Sequence, residues 1–253
     1  MKSNDDLIQY LLRIGDTAMV QAQRLCEWCG AAPAIEEDLA LMNVGLDLVG
    51  QARNWLDYAA ELLGDSRDAD HLAFRRDERA YRNLLLVEQP NGDFAVTMVK
   101  QFLYDSWHYL VLEQLASSKD ERVAGIAAKS LKEVTYHLRR SSEWVRRLGD
   151  GTAESHQRML AAVADVWRFT VDLFNSDEVE QRLHAAGIIP SAEAMEEAWR
   201  AKVAEVFDEA TLPVPAPAEY FYLDSRKGVH SEHLGYLLAE MQFLQRAYPD
   251  ATW

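Results

Sequence analysis

The sequence predicts an all-α protein. Glycine and proline are scarce, at 12 and 7 of 253 residues, and most of them lie between long segments and not within them. Those segments carry apolar residues at the three- and four-residue spacing of one helix face. No run shows the alternation of apolar and polar residues that would indicate a strand.

The first predicted helix has Leu7, Leu11, Ile14 and Leu25 on one face and ends before Gly30. The second begins with acidic residues, which the positive end of the helix dipole favours. The segment Ser118–Glu121 has the pattern of a capping box and predicts the start of the fourth helix. The predicted long helices span residues 5–29, 36–63, 94–116 and 118–148.

Shorter helices are predicted for the rest of the chain, at residues 154–174, 191–209, with Ser191 as the N-cap, and 231–247. The segment Thr211–Ala218 carries three prolines and predicts an extended connection.

The link over residues 64–93 is long enough to cross over along a helical bundle. One long crossover in a four-helix core is the ferritin-like arrangement. We therefore expect residues 1–253 to form one ferritin-like four-helix bundle with extra C-terminal helices. Its core would span about 5–148 and its additions about 152–253.

Charge and composition exclude several classes of protein. The formal net charge of −15 repels nucleic-acid phosphates over most of the surface. No apolar stretch approaches the roughly 20 residues of a membrane span. The N-terminus, MKSNDDLIQY, is acidic where a signal peptide would be basic, and two cysteines make no disulfide framework. A cytoplasmic protein that binds neither nucleic acid nor membrane is expected.

Ferritin-like folds commonly hold two irons, using an inward Glu from each of two helices and Glu-x-x-His from each of the other two. Here Gln21 stands on the apolar stripe of the first helix, and Gly50 stands where a histidine would follow Asp47. The corresponding positions, which depart from an iron ligand set, are Gln21, Asp47, Gly50, Asp105, His108, Glu133 and His137.

Two of these pairs lie on the third and fourth helices. Asp105 and His108 have the carboxylate-x-x-His spacing, whereas Glu133 and His137 are four residues apart. We interpret the set as polar groups satisfied within a helical core, with no metal. A two-iron site and a single or adventitious metal remain open alternatives.

An arginine cluster lies in the crossover, with four arginines in the eight positions from Arg75 to Arg82. One interpretation is a solvated, salt-bridged surface. The other is a cradle for phosphate or carboxylate groups, both of which suit the guanidinium fork.

Several runs resemble the C subunits of bacterial phenylacetyl-CoA epoxidases, and the resemblance extends over residues 5–253. These runs are Arg24–Gly30, Asp38–Leu41, Gly45–Leu48, Gly50–Asn54, Asn83–Gly92, Lys132–Glu133, Tyr136–Arg139 and Gly228–Gly235.

The resemblance implies a function in aerobic phenylacetate catabolism. Such an enzyme is a multicomponent monooxygenase that epoxidises the ring of phenylacetyl-CoA with O2. The resemblance implies that a homologous A subunit holds the di-iron centre and that a reductase supplies electrons from NADPH. The C subunit would support the A subunit, together with the other subunits, without catalysis or a cofactor of its own.

The alternative is a self-sufficient di-iron carboxylate oxygenase. Gln21 and Gly50 argue against it, because they remove a carboxylate and an imidazole from the ligand set.

Coenzyme A carries several negative phosphate charges, so an acidic complex needs a local basic patch to bind it. We expect a contact with substrate at one of two segments of this chain. The candidate residues are Arg79, Ala80, Tyr81, Arg82 and Asn83 in the crossover, and Gln181, Arg182 and Leu183 near the C-terminal additions.

Overall fold

The computed structural model describes residues 2–217, 223–249 and 251, with side chains from residue 4 onward. Within this part of the chain the regular elements are helices, and a single antiparallel bridge joins Asp224 to Val229. The predicted all-α class is confirmed. None of the described helices combines the length and the apolar character needed to cross a membrane.

The described residues divide into two compact units. The first contains the residues up to Pro90 together with those from Leu223 onward, and the second contains Asn91 to Pro217. The organisation of residues 1–253 as one domain stays a prediction.

The first unit is built on the pair α1 (Lys2–Cys26) and α2 (Ile35–Leu63). The two helices approach closely because glycine stands at their contact: a Cβ added to Gly15 would lie 2.9 Å from the Leu56 side chain. Shorter helices complete the unit, namely α3 (Ala69–Phe74), α4 (Leu85–Glu88), α10 (Glu232–Met241) and α11 (Phe243–Ala247).

The second unit is built on α5 (Phe94–Leu115), which is buried on nearly every side. It packs against α6 (Glu121–Gly149), α7 (Ala153–Val166) and α9 (Ala192–Glu209). Trp199 of α9 fixes one of these contacts, because its indole N–H donates to the Leu103 carbonyl of α5 at 3.0 Å. The unit also holds α8 (Glu178–Ala185).

Some predicted boundaries differ from the structure. The first helix ends at Cys26 and not at Cys29, since the chain turns there toward Gly30, whose φ is +77°. The N-cap of α6 is Asp120, whose carboxylate accepts from the backbone N–H of Arg122 and Val123. The predicted capping box at Ser118 is therefore wrong.

Other differences come from short helices. The predicted helix 154–174 becomes the α-helix α7 followed by a 3-10 segment over Trp167–Leu173. The last predicted helix is interrupted at Gln242, and α3, α4 and α8 were not predicted. The N-cap Ser191 is confirmed, and Thr211–Ala218 has no helix as far as Pro217, beyond which Ala218 lies outside the described residues.

Candidate functional site

A cluster of buried polar side chains joins α5 and α6 in the second unit. Gln101, Asp105 and His108 follow one another at helical spacing on α5, and His137 and Ser141 come from α6. All five are fully buried. The Ser141 hydroxyl donates to Asp105 Oδ2 at 2.8 Å, so the two helices are joined by a hydrogen bond inside the core.

Asp105 is placed to hold a proton near neutral pH. Burial raises the pKa of its carboxyl to about 7, because the charged form loses its hydration. The Ser141 hydrogen bond, the charge of Arg140 and the Gln101 side chain oppose this rise without cancelling it.

His108 behaves in the opposite sense. Burial, with a smaller contribution from His137, lowers the pKa of the His108 imidazole to about 3. The ring packs against Tyr104, with 4.9 Å between the ring centres, and neither ring nitrogen has a hydrogen-bond partner. His108 is therefore a neutral imidazole at physiological pH.

This donor set does not fit a two-iron centre. Two irons need several bridging carboxylates, and the α5–α6 cluster offers the Asp105 carboxyl with the imidazoles of His108 and His137. Glu133 is half-buried on α6 and lies outside the fully buried face. Among the described residues, no group of three or more His, Cys, Asp or Glu side chains is arranged to hold a metal ion.

In the first unit the predicted ligand positions separate. Gln21 is fully buried on α1, but Asp47 is half-buried and Gly50 is exposed on α2. A Cβ added to Gly50 would meet nothing within 4 Å. The inward-facing polar residue of α2 is Gln51, so the interpretation of Gly50 as a vacated inward ligand position is corrected.

A buried ion pair lies elsewhere in the first unit, between Asp16 of α1 and Arg76, which follows α3. Both Asp16 carboxylate oxygens accept from the Arg76 guanidinium, and Oδ2 also accepts from the Arg82 backbone N–H at 2.9 Å. The Arg76 guanidinium lies 4.5 Å from the centre of the Tyr81 ring. The pair therefore ties the crossover to α1.

A second buried carboxylate, Glu88, ties the crossover to the C-terminal segment. It accepts from Asn83 Nδ2 at 3.0 Å, from the Ser231 backbone N–H at 2.7 Å and from His230 Nδ1 at 2.8 Å. The other ring nitrogen of His230 lies 3.0 Å from the Tyr81 carbonyl oxygen. Both ring nitrogens of His230 therefore face oxygen atoms, and the ring joins Glu88 to the backbone of the crossover.

This network is the feature that sequence reasoning missed. Glu88 and His230 are 142 residues apart, so no local spacing connects them. The runs Arg24–Gly30, Asn83–Gly92 and Gly228–Gly235 meet here, and Arg24 completes the contact by donating to the Glu88 carbonyl at 2.6 Å. In the sequence, these three runs, which resemble the C subunits, were the signal that this region matters.

The predicted substrate residues in the crossover have different environments. Arg79 is exposed, Ala80 is half-buried, and Tyr81 and Asn83 are fully buried. Arg82 is half-buried, and its Nη1 donates to the carbonyls of Arg79 and Tyr81 at 2.8 and 2.7 Å. The buried side chains of Tyr81 and Asn83 belong to the core, so a ligand at the surface would meet Arg79 and Arg82.

Arg79 also lines a surface cavity of about 390 Å³ in the first unit. The charges in this cavity are mixed, because Asp77 and Glu78 lie beside Arg79 and Arg246. Arg246 is already paired with Asp77 at 2.7 Å. The cavity therefore offers Arg79 as a cation for an anionic ligand, close to two carboxylates that would oppose a large negative charge.

The second predicted segment lies on α8 in the second unit. Gln181 and Arg182 are exposed, and Leu183 is buried in the core. Arg182 Nη1 lies 3.5 Å from the carboxylate of Glu178, one turn earlier. Two of the three residues can therefore reach a ligand.

The described helices, among them the long helices α1, α2, α5 and α6, make this an all-α protein, and its ferritin-like class follows from the family to which it belongs. The chain belongs to the phenylacetic acid catabolic protein family, whose model matches residues 1–253. It is 51% identical over 249 residues to the C subunit of the 1,2-phenylacetyl-CoA epoxidase of Escherichia coli (strain K12). The alignment covers 98% of this chain and 100% of that relative, which confirms the resemblance found in the sequence.

Proposed function

We propose that this chain is the C-type subunit of a multicomponent phenylacetyl-CoA epoxidase that acts in phenylacetate degradation. The observation that carries the proposal is the 51% identity with a C subunit over essentially the whole of both chains. The residues around Glu88 also support the proposal, because the three runs that meet there are among those that resemble C subunits.

Within that complex the role of this chain is structural and not catalytic. The α5–α6 cluster supplies the Asp105 carboxyl and two imidazoles, which is too few carboxylates for an oxygen-activating pair of irons. The chain instead has a core in which burial raises the pKa of the Asp105 carboxyl to about 7 and lowers that of the His108 imidazole to about 3, which favours the neutral form of each. These observations favour a supporting subunit over a self-sufficient di-iron oxygenase.

The chemistry then resides in partners. A homologous A subunit would hold the di-iron centre, and a reductase would deliver electrons from NADPH. This chain would carry no cofactor and would work in the cytoplasm as one ferritin-like domain of residues 1–253.

Reconstitution tests this function directly. The chain and the A subunit are co-expressed, and epoxidation of phenylacetyl-CoA is measured with the reductase and NADPH present. We expect this chain alone to be inactive, and the A subunit to lose most of its solubility or activity without it. An A subunit that is soluble and fully active alone, or turnover by this chain alone, would contradict the proposal.

A contact with the CoA part of the substrate is a further element of the proposal. Arg79 and Arg182 supply exposed guanidinium groups for phosphate. In the assembled complex, Arg79→Ala is expected to raise KM for phenylacetyl-CoA several-fold with kcat little changed. Arg158→Ala, which removes an exposed arginine paired with Glu154, is the matched control and should leave KM unchanged.

Arg82 is less suited to this test, because its guanidinium supports two backbone carbonyls of the crossover. Arg182→Ala tests the second segment separately. If both Arg79→Ala and Arg182→Ala leave KM unaltered in an intact complex, this chain does not bind the CoA moiety through either residue.

A further inference from the structure

The outer face of α2 carries a stripe of large apolar side chains that the described residues leave uncovered. Ile35 is 73% exposed, Leu39 60%, Leu46 63% and Val49 39%. Met42, in line with them, is half-buried. Isolated exposed leucines are ordinary, but a contiguous row of this kind marks an interaction surface.

The spacing of the stripe is that of a helix–helix seam. From Ile35 the residues follow at steps of four, three, four and three, which is the a/d pattern of a heptad. The opposite face of α2 carries Leu41, Val44 and Leu48, all fully buried. A helix that is apolar on two sides is suited to lie between two partners, and this chain covers one of the two sides.

One edge of the apolar stripe is acidic. Projected on the helix at 100° per residue, Glu36, Asp47, Asp57 and Glu61 lie along one side of it. Arg53 lies in line with the apolar stripe, and its Nε is 3.7 Å from Oδ2 of Asp57. Gly50 lies on the same edge, and open space surrounds the position where its Cβ would be.

We propose that this face of α2, defined by Ile35, Leu39, Met42, Leu46 and Val49, docks an amphipathic helix of the A subunit of the epoxidase complex. The inference rests on the proposed function. The partner helix carries a matching apolar row with lysine or arginine along the edge that meets the acidic side of α2. Gly50 lets the partner backbone approach closely, which gives this residue a role as a contact position.

A second copy of this chain fits the surface poorly. In an antiparallel pair of identical helices the equivalent edges face each other, so the carboxylates of Glu36, Asp47, Asp57 and Glu61 would meet their own counterparts. In a parallel pair the acidic edge would meet the opposite edge, where Gly45 and Ala52 are buried against this chain's own core. Two chains of net charge −15 also repel each other at long range.

The stripe can be tested with exposed residues, which avoids damage to the core. The wild-type chain, Leu39→Glu/Leu46→Glu and the control Tyr236→Glu are each co-expressed with a tagged A subunit. Tyr236 is 73% exposed on α10, so it matches the stripe in exposure but not in position. We expect the double variant to lose at least tenfold in retention by the A subunit, and the control to be retained as the wild type is. Far-ultraviolet circular dichroism checks that all three fold.

The charge of the edge gives a second arm. Glu36→Lys/Glu61→Lys is expected to weaken retention several-fold at low salt, and added salt should weaken the wild-type complex. Retention of this variant at the wild-type level would overturn the basic edge assigned to the partner.

The outcomes separate the two proposals. If the wild type is retained and Leu39→Glu/Leu46→Glu is retained equally, the docking surface is wrong and the proposed function stands. If the wild type is not retained by the A subunit, both fail. If the isolated wild type is a dimer that the double variant turns into a monomer, the occupant is a second copy and the proposal is overturned.

Discussion

Two buried carboxylates in this chain have different polar neighbours. Asp105 accepts a hydrogen bond from the neutral Ser141 hydroxyl, and its pKa rises to about 7. Glu88 accepts from the Asn83 amide and the Ser231 backbone N–H, and its Oε2 lies 2.8 Å from His230 Nδ1. At Asp105 the Ser141 hydroxyl does not offset the cost of burying the charged form.

Replacing Asp105 tests the first of these environments. Because its pKa is raised in the folded state, the native protein binds the proton more strongly than the unfolded chain does. The burial of Asp105 therefore costs little below about pH 4 and progressively more up to about pH 7. Asp105→Asn should match the wild type near pH 4 and exceed its free energy of unfolding above pH 7, by up to about 4 kcal/mol.

Urea denaturation of both proteins at several pH values makes this measurement. His108 acts with the opposite sign, because its lowered pKa makes the wild type gain stability as the pH rises from about 3 to about 6.5. Because both proteins contain His108, its contribution cancels in the difference between their free energies of unfolding. A difference that is constant from pH 4 to pH 8 would mean that Asp105 is ionised in the folded protein throughout this range.

The pair of Glu88 and His230 makes a second prediction at this scale. His230→Ala leaves the buried Glu88 side chain without one of its polar partners, so the free energy of unfolding at pH 7 should fall by about 2 kcal/mol. His233→Ala, in the same segment but half-buried on α10, should change it by less than about 0.5 kcal/mol. Chemical denaturation compares them, and equal effects for the two variants would show that the contact between Glu88 and His230 contributes no stability.

At the scale of the helix, the sequence predicted the existence of every long helix but not which face of each helix is buried. On α2 the leucines at 41 and 48 are buried, whereas those at 39 and 46 are exposed. The hydrophobic pattern of α2 predicts two apolar faces. It does not predict which of them is buried, because burial depends on what packs against each face. Because of this ambiguity, the spacing from Asp47 does not reveal that Gly50 lies on the outer face of α2.

The capping signals show a similar limit. Ser118 and Asp120 are both favourable N-cap residues, and local sequence does not rank them. The Ser118 hydroxyl donates to the carbonyl of Ile188, so a contact 70 residues away occupies it, and Asp120 caps α6 instead. The short helices α3, α4 and α8 were missed because helices of four to eight residues depend on tertiary contacts and carry little periodicity.

Gly228 offers a prediction about the turn that joins the C-terminal segment to the crossover. Its φ is +70°, and an added Cβ would lie 2.2 Å from the Arg79 carbonyl oxygen. Gly64, the C-cap of α2, has a φ of +66° with nothing within 4 Å of the same position. Gly64→Ala should therefore cost about 1 kcal/mol for its backbone alone, whereas Gly228→Ala should cost a further 1–3 kcal/mol for the clash.

Thermal or urea unfolding of the two glycine variants decides this. Both substitutions impose the same left-handed backbone on alanine, so their difference isolates the contact with Arg79. Equal losses would mean that the crossover moves away from the Gly228 turn without cost.

At the scale of the whole molecule, the sequence identified the kind of protein better than it identified the site. Three of the eight runs that carry the family resemblance meet around the Glu88 network, which joins segments 142 residues apart. The hydrogen bonds of this network are structural, because they join the Glu88 segment to α1 and to the C-terminal segment of the same chain. Ligand spacing, in contrast, led to α2 and to Gly50, where the structure shows an outer surface.

The last prediction concerns iron in the assembled complex. If the α5–α6 cluster holds no metal, removing its imidazoles must leave the iron content of the complex unaltered. The variants His108→Gln and His137→Gln keep a polar side chain of similar reach in the core, so assembly can be checked for each. We expect the same number of irons per complex as in the wild type, measured by mass spectrometry of the metal. The isolated chain given Fe(II) without oxygen should retain far less than one iron. Loss of iron in either variant, with the partner proteins still associated, would show that this chain shares in the metal centre and would favour the oxygenase alternative.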